Sequence, residues 1–248
     1  MKKVAVILAI AIVSLSTGCV QKELQTSGEI NIQESENKYN QNRIKEIDEI
    51  LNDKYMILAN KDNLLGSDYI PSELVKSEIP FQSYIVTRDL ERLASEKASE
   101  MFNAAKEDGI NLLGASGYRS YDIQFNMYQN KVAQVGAEKA GEYLAPPGAS
   151  EHQTGLALDI LSTNYGSLNE GFEDTEASKW LVENSYKYGF ILRYLEDKVD
   201  ITKYEYEPWH YRYVGQPMAE EIMNKGICLE EYIENLKQEK RDLERIEK

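Results

Sequence analysis

The sequence predicts an α+β domain: a small antiparallel sheet with helices packed on one face and the chemically active residues on the open face. Three observations carry this expectation. One long segment keeps an unbroken helical apolar period, while several short apolar segments are bounded by Gly, Asn and Pro. No segment repeats at a period of roughly 20 to 50 residues, and no glycine-rich phosphate loop is present. The 248 residues are 42% hydrophobic with 17 tyrosines, enough for one core plus extensions at the ends. A net charge of −14 argues against nucleic acid as a partner, because phosphates need a Lys/Arg surface.

Lys2 and Lys3 precede the apolar run Val4 to Val13, which is shorter than the roughly 20 residues of a membrane span and reads as an export signal. Leu15-Ser16-Thr17-Gly18-Cys19 is similar to a bacterial lipobox, although Ser16 stands where an aliphatic residue is preferred. Residues 1–19 are therefore expected to be a lipoprotein-type signal ending at a lipidated Cys19, with an ordinary secretory signal as the alternative. Either reading puts the domain outside the cytoplasm, lipid-anchored to the bacterial membrane or secreted. Residues 20–42, rich in Gln, Asn, Ser and Glu, suit a polar tether.

The folded domain is expected over 43–236, followed by a charged tail over 237–248. A helix begins near Arg43 on Ile44, Ile47 and Leu51, and Tyr55 to Leu58 suggests a short strand. Residues 64–83, with Pro71 and Pro80, read as loop. Thr87 can cap a helix over Arg88 to Asp108, where Leu90, Leu93, Ala94, Ala98, Met101 and Ala105 form a stripe ending at Gly109. A strand over Ile110 to Ala115 turns through Ser116-Gly117-Tyr118-Arg119-Ser120 into a helix over Tyr121 to Val135. Gly155 to Leu161 is the clearest core strand, with Ala157 and Asp159 on one face. After a Gly/Asn loop over Asn164 to Asp174, Thr175 caps a helix that Gly189 ends. Strands over Phe190 to Tyr194 and His210 to Val214 follow, then helices over Pro217 to Asn224 and from Leu229 onward.

Only two histidines are present. His152 lies seven residues before Asp159, and His210 ends the run Glu207-Pro208-Trp209-His210. Imidazole and carboxylate are the usual ligands of a hydrolytic Zn²⁺, and three protein ligands leave a fourth position for water. His152, Asp159 and His210 supply such a set, for one zinc per chain. Glu207 is left beside them as an acid/base. An aspartate on an apolar strand is costly to bury unless paired or metal-bound, which favours Asp159 as a ligand. Pro208 disfavours helix at Glu207, so this Glu-x-x-His is expected to be a loop entering a strand. Glu151 is expected to face solvent, and Cys228, left without a partner if Cys19 is lipidated, to be a small buried hydrophobe.

These residues resemble the zinc D-alanyl-D-alanine carboxypeptidase family of the VanY type, including its L,D-carboxypeptidase relatives. Ser150, His152, Gly155, Ala157 and Asp159 follow its Ser-x-His-x-x-Gly-x-Ala-x-Asp pattern. Glu207, Trp209 and His210 follow its Glu-x-Trp-His, and Ser116 to Ser120 follows an upstream Ser-Gly-Tyr-Arg-Ser. The resemblance runs from about Ile50 to Gly226. It implies a fold of the kind described, and a carboxypeptidase that takes a D-alanine from the C-terminus of peptidoglycan stem peptides by D,D- or L,D-cleavage. It also implies Glu207 as general base, Arg119 as a grip for a carboxylate or developing oxyanion, and Gln124 and Ser150 as further lining of the substrate pocket. A peptidoglycan endopeptidase, or a non-catalytic zinc- or wall-binding lipoprotein, remains as an alternative.

Overall fold

The computed structural model of the protein describes residues 18–246. The export-signal expectation for residues 1–17 lies outside them, as does the side chain of Cys19. No helix among the described residues is long and apolar enough to cross a membrane. The chain divides into two compact units: the stretch up to Glu46 with the stretch from Lys240, and Ile47–Glu239. Helix α1 runs over Gly18–Leu51 and so begins well before Arg43. The polar stretch lacks the apolar stripe that docks a helix, but it also lacks proline and is rich in Glu, Gln and Lys, which favour helical backbone.

In the second unit, a 3₁₀ turn at Lys54–Met56 stands where a strand was expected, because the Asp53 carboxylate accepts the Tyr55 N–H and starts a turn. Strands β1 (Leu74–Lys76) and β2 (Asp89–Glu91) pair antiparallel, Leu74 opposite Glu91. This pairing takes the first residues of the long helical period into a strand. Helix α2 is consequently Arg92–Glu107, capped by Glu91, whose carboxylate accepts the Leu93 and Ala94 N–H groups, and not by Thr87. Its expected stripe holds: Ala94, Ala98, Met101 and Ala105 are buried.

Strand β3 (Leu112–Ser116) leads through a turn into α3 (Tyr121–Val135), where the Ser120 hydroxyl accepts the Ile123 N–H. A further helix, α4 (Ala137–Tyr143), follows. Strand β4 (Ala157–Ser162) precedes α5 (Glu176–Asn184), whose cap Thr175 accepts the Ser178 N–H as expected. Then come β5 (Phe190–Leu192), the short α6 (Val199–Thr202), β6 (His210–Tyr213), α7 (Gln216–Lys225) and α8 (Leu229–Ile246).

The main sheet has the order β3-β4-β6-β5, antiparallel throughout. The architecture is α+β with small antiparallel sheets and helices, as the sequence predicts. Strand alternation divides the sheet chemically. Leu158, Ile160, Tyr211 and Tyr213 join Ala94, Ala98, Met101, Phe190 and Leu192 in the apolar core. Burying each larger side chain there contributes about 1.5–3 kcal/mol. The opposite side of β4 and β6 carries Ala157, Asp159, His210 and Arg212. Ala157 lies opposite Arg212 and Asp159 opposite His210. That side is overlain rather than bare, since Glu151 reaches Arg212 at 2.7 Å.

Candidate active site

Three chain segments converge on the side of the sheet that bears Asp159. The first is a 3₁₀ turn over Glu151–Thr154, closed by Gly155 at φ +70°. A Cβ at Gly155 would meet Leu74 Cδ2 at 3.0 Å and the Glu91 nitrogen at 3.1 Å, so both the conformation and the space call for glycine. The second segment is β4. The third is a tight turn in which the His210 N–H donates to the Glu207 carbonyl at 3.0 Å. Pro208 occupies the second position of that turn, which its fixed φ suits, and Glu-x-x-His is therefore a turn entering a strand.

Register then brings the polar groups together. Asp159 and His210 are direct cross-strand neighbours, with Oδ1 to Nδ1 at 3.0 Å. His152 Nε2 lies 3.4 Å from Asp159 Oδ2. The imidazoles stand perpendicular, with centroids 5.0 Å apart. One ligand atom from each of the three residues falls within 4.8 Å of the others. His152 Nδ1 is 2.8 Å from the Gly117 carbonyl, which can only accept, so Nδ1 carries the hydrogen and Nε2 offers its lone pair inward. Two imidazoles and a carboxylate, all buried, make a donor set that fits zinc.

The charge states agree with that fit. Burial opposes ionisation of Asp159, yet the two imidazoles hold its carboxyl well below the usual range. Burial pushes the His152 imidazole down, toward the neutral form that ligates a metal. For His210 burial acts in the same direction, but the carboxylates of Asp159 and Glu151 outweigh it and lift the imidazole up to about 9. Metal uptake there must therefore release a proton. Burial lifts the Glu207 carboxyl up to about 7, with Asp159 adding to the effect and His210 opposing it. Its Oε2 lies 3.6 Å from His210 Nδ1.

Arg119 arrives from the end of β3. Gly117 passes so close to β2 that a Cβ would sit 2.7 Å from the Asp89 carbonyl, and the Tyr118 N–H donates to that carbonyl at 2.7 Å. The Arg119 N–H then donates to the His152 carbonyl at 3.1 Å. Its guanidinium donates to Gln124 Oε1 at 2.8 Å and to Ser116 Oγ at 3.2 Å. Gln124 is fully buried and donates to the Ala145 carbonyl at 2.6 Å, so this expected pocket residue also braces Arg119. Ser150 is buried and its hydroxyl makes no capping bond. Arg119, Gln124 and Ser150 line one cleft of about 280 Å³ with His152, Asp159, His210 and Glu207, and Tyr194, Leu168 and Trp209 help to wall it.

Glu151 departs from expectation. It is fully buried, with Oε1 2.8 Å from Arg193 Nε and 2.7 Å from Arg212 Nη1. Two buried guanidiniums compensate the cost of withdrawing its charge from water and hold its carboxyl far below the usual range against the effect of burial. Arg212 could have been found, since it lies two residues after His210 and hence on the same strand face. Nothing near Arg193 in the sequence marks it. Cys228 is buried and unpaired, as expected.

The sequence profile described as VanY, D-alanyl-D-alanine carboxypeptidase, matches residues 87–216. YodJ of Bacillus subtilis, a predicted carboxypeptidase, is 44% identical over 247 residues, covering 90% of each chain. Among solved structures, the LdcB LD-carboxypeptidase is similar at 49% identity and a TM-score of 0.68, over 71% of this chain and 84% of that one. A Zn(II) complex of a variant of the vancomycin-resistance D,D-pentapeptidase VanY is similar at 37% identity and a TM-score of 0.61, over 73% of this chain and 99% of that one.

Proposed function

The chain belongs to the VanY family of D-alanyl-D-alanine carboxypeptidases, and on that premise we propose that it is a zinc-dependent enzyme that removes a C-terminal D-alanine from peptidoglycan stem peptides. The observation that carries this is a single cleft lined by His152, Asp159, His210, Glu207 and Arg119. His152 Nε2, an Asp159 oxygen and His210 Nδ1 would hold the zinc. When bound, zinc lowers the pKa of water toward ~7 and polarises a carbonyl. Glu207 accepts the proton of the water that attacks the scissile carbonyl carbon. As the C–N bond breaks, Glu207 passes that proton to the departing D-alanine amine. Arg119, braced by Gln124 and Ser116, holds the terminal carboxylate of the peptide in its fork.

The carboxylate grip separates exopeptidase from endopeptidase. Amidating the terminal carboxylate of the preferred stem peptide is expected to lower kcat/KM roughly ten- to a hundredfold, because a charge-assisted contact is worth about 1.5–3 kcal/mol. Arg119→Lys is expected to slow cleavage of the free acid and narrow the gap between acid and amide, since lysine lacks the planar fork. Equal wild-type rates on acid and amide would favour the endopeptidase. Similarity to both an LD-carboxypeptidase and a D,D-pentapeptidase makes tetrapeptide and pentapeptide the two candidate substrates. Product analysis on both peptides in the same assay reads that choice.

A lipid anchor at Cys19 completes the proposal, supported by the apolar run that ends in Gly18-Cys19. Cys19→Ala is expected to move the protein from the membrane fraction into the soluble fraction. Unchanged retention, with the residues before Cys19 still present by mass spectrometry, would instead show an uncleaved anchor.

A further inference from the structure

We propose that Glu151 is a positioning residue for His210: its Oε2 accepts a hydrogen bond from His210 Nε2–H and thereby leaves Nδ1 to offer its lone pair to the zinc that His152 and Asp159 would share. The inference rests on the zinc-site reading of His152, Asp159 and His210.

Both guanidiniums that hold Glu151 converge on Oε1, at 2.8 and 2.7 Å, and leave Oε2 without a hydrogen bond. His210 Nε2 is likewise buried without one, and these two atoms face each other at 3.5 Å. A carboxylate oxygen can only accept, so the arrangement is satisfied when Nε2 carries the hydrogen. Nδ1, 3.0 Å from Asp159 Oδ1, then stands beside that carboxylate as its fellow ligand of the zinc. The ring has little freedom to turn otherwise, with Tyr194 packed at 4.9 Å between centroids and His152 at 5.0 Å. The two histidines thus use opposite nitrogens, each fixed by a hydrogen bond on its other side: His152 by a backbone carbonyl and His210 by a carboxylate.

The support behind Glu151 is itself anchored. Glu230 receives Arg193 through two bonds of 2.8 and 2.6 Å, and Asn60 donates to Glu230 at 3.0 Å. Arg212 donates to the Tyr55 and Ile57 carbonyls at 3.0 and 2.6 Å. Because each arginine keeps other acceptors, Glu151→Gln retains partners for both. A role confined to neutralising arginines, which Glu230 shares at Arg193, would show in stability alone, whereas positioning ties the His210 ring and the zinc affinity to Glu151.

The test uses the full chain loaded with zinc, with metal content showing first whether the site holds zinc at all. Long-range ¹H–¹⁵N spectra then read which nitrogen of each histidine bears hydrogen, and with only two histidines in the chain, His152 serves as the internal reference. The expected wild-type result is hydrogen on His210 Nε2 and on His152 Nδ1. Hydrogen on His210 Nδ1 would overturn the proposal without recourse to any variant. Glu151→Gln is expected to shift or broaden the His210 Nε2–H signal, leave His152 in place, and raise the zinc dissociation constant about ten- to a hundredfold. Glu230→Gln is expected to lower thermal stability while zinc affinity stays within about threefold. Equal loss of zinc affinity in both variants, or an unmoved His210 signal in Glu151→Gln, would reduce Glu151 to a structural ion pair.

Discussion

Glu207→Gln is expected to lower kcat by about 10² or more while zinc content and fold stay at wild-type values. The substitution keeps the size and planar shape of the side chain beside His210, whose Nδ1 lies 3.6 Å from Glu207 Oε2. What it removes is the capacity to take up a proton. Burial lifts the carboxyl up to about 7, and a neighbouring dication pulls it back down. A base works deprotonated, so wild-type kcat/KM falls as pH drops through that pKa, at or below about 7. The acid limb is expected to vanish in the variant. Steady-state rates on a defined stem peptide, with zinc measured by elemental analysis, check both statements. Near-wild-type hydrolysis would remove Glu207 from the mechanism and return the non-catalytic lipoprotein to consideration.

Alanine at His152, Asp159 or His210 is expected to abolish stoichiometric zinc and, with it, turnover. The three variants differ in what they do to the metal-free fold. His210→Ala strips buried Asp159 of its 3.0 Å partner, and a buried group left without its hydrogen bond costs about 1–3 kcal/mol. Asp159→Ala removes the buried charge itself, so its metal-free form is expected to melt higher than that of His210→Ala. Metal analysis and thermal melts in chelator read the two effects separately. Full zinc occupancy in His210→Ala would show the ligand assignment to be wrong.

The site was legible where chemistry is concentrated in rare residues. Two histidines, an aspartate on an apolar strand and a glutamate ahead of a proline single out His152, Asp159, His210 and Glu207, and the structure brings these four together. Strand periodicity correctly put Ala157 and Asp159 on one face of their strand, where they meet Arg212 and His210. What escaped was decided by tertiary partners. Glu151 reads as a surface acid because its compensating charges, Arg193 and Arg212, lie 42 and 61 residues away. The start of α2 was misplaced because Arg88 to Glu91 satisfies a helical period and a strand equally well, and only the pairing of Asp89–Glu91 with β1 resolves the choice. The strand expected at Tyr55 gave way to a turn for a local reason, the Asp53 side chain competing for backbone N–H.

The turn carrying Arg119 and the turn carrying His152 clasp each other: the Arg119 N–H donates to the His152 carbonyl at 3.1 Å, and His152 Nδ1–H donates to the Gly117 carbonyl at 2.8 Å. The turn that carries the proposed carboxylate grip and the turn that carries a proposed zinc ligand are therefore held together. With Arg119 in its proposed role, the cleft works as a caliper whose two jaws are tied by main-chain bonds, with Gln124 and Ser116 steadying the guanidinium itself. Side chains around the rim can change to suit another stem peptide while those bonds hold the jaws together.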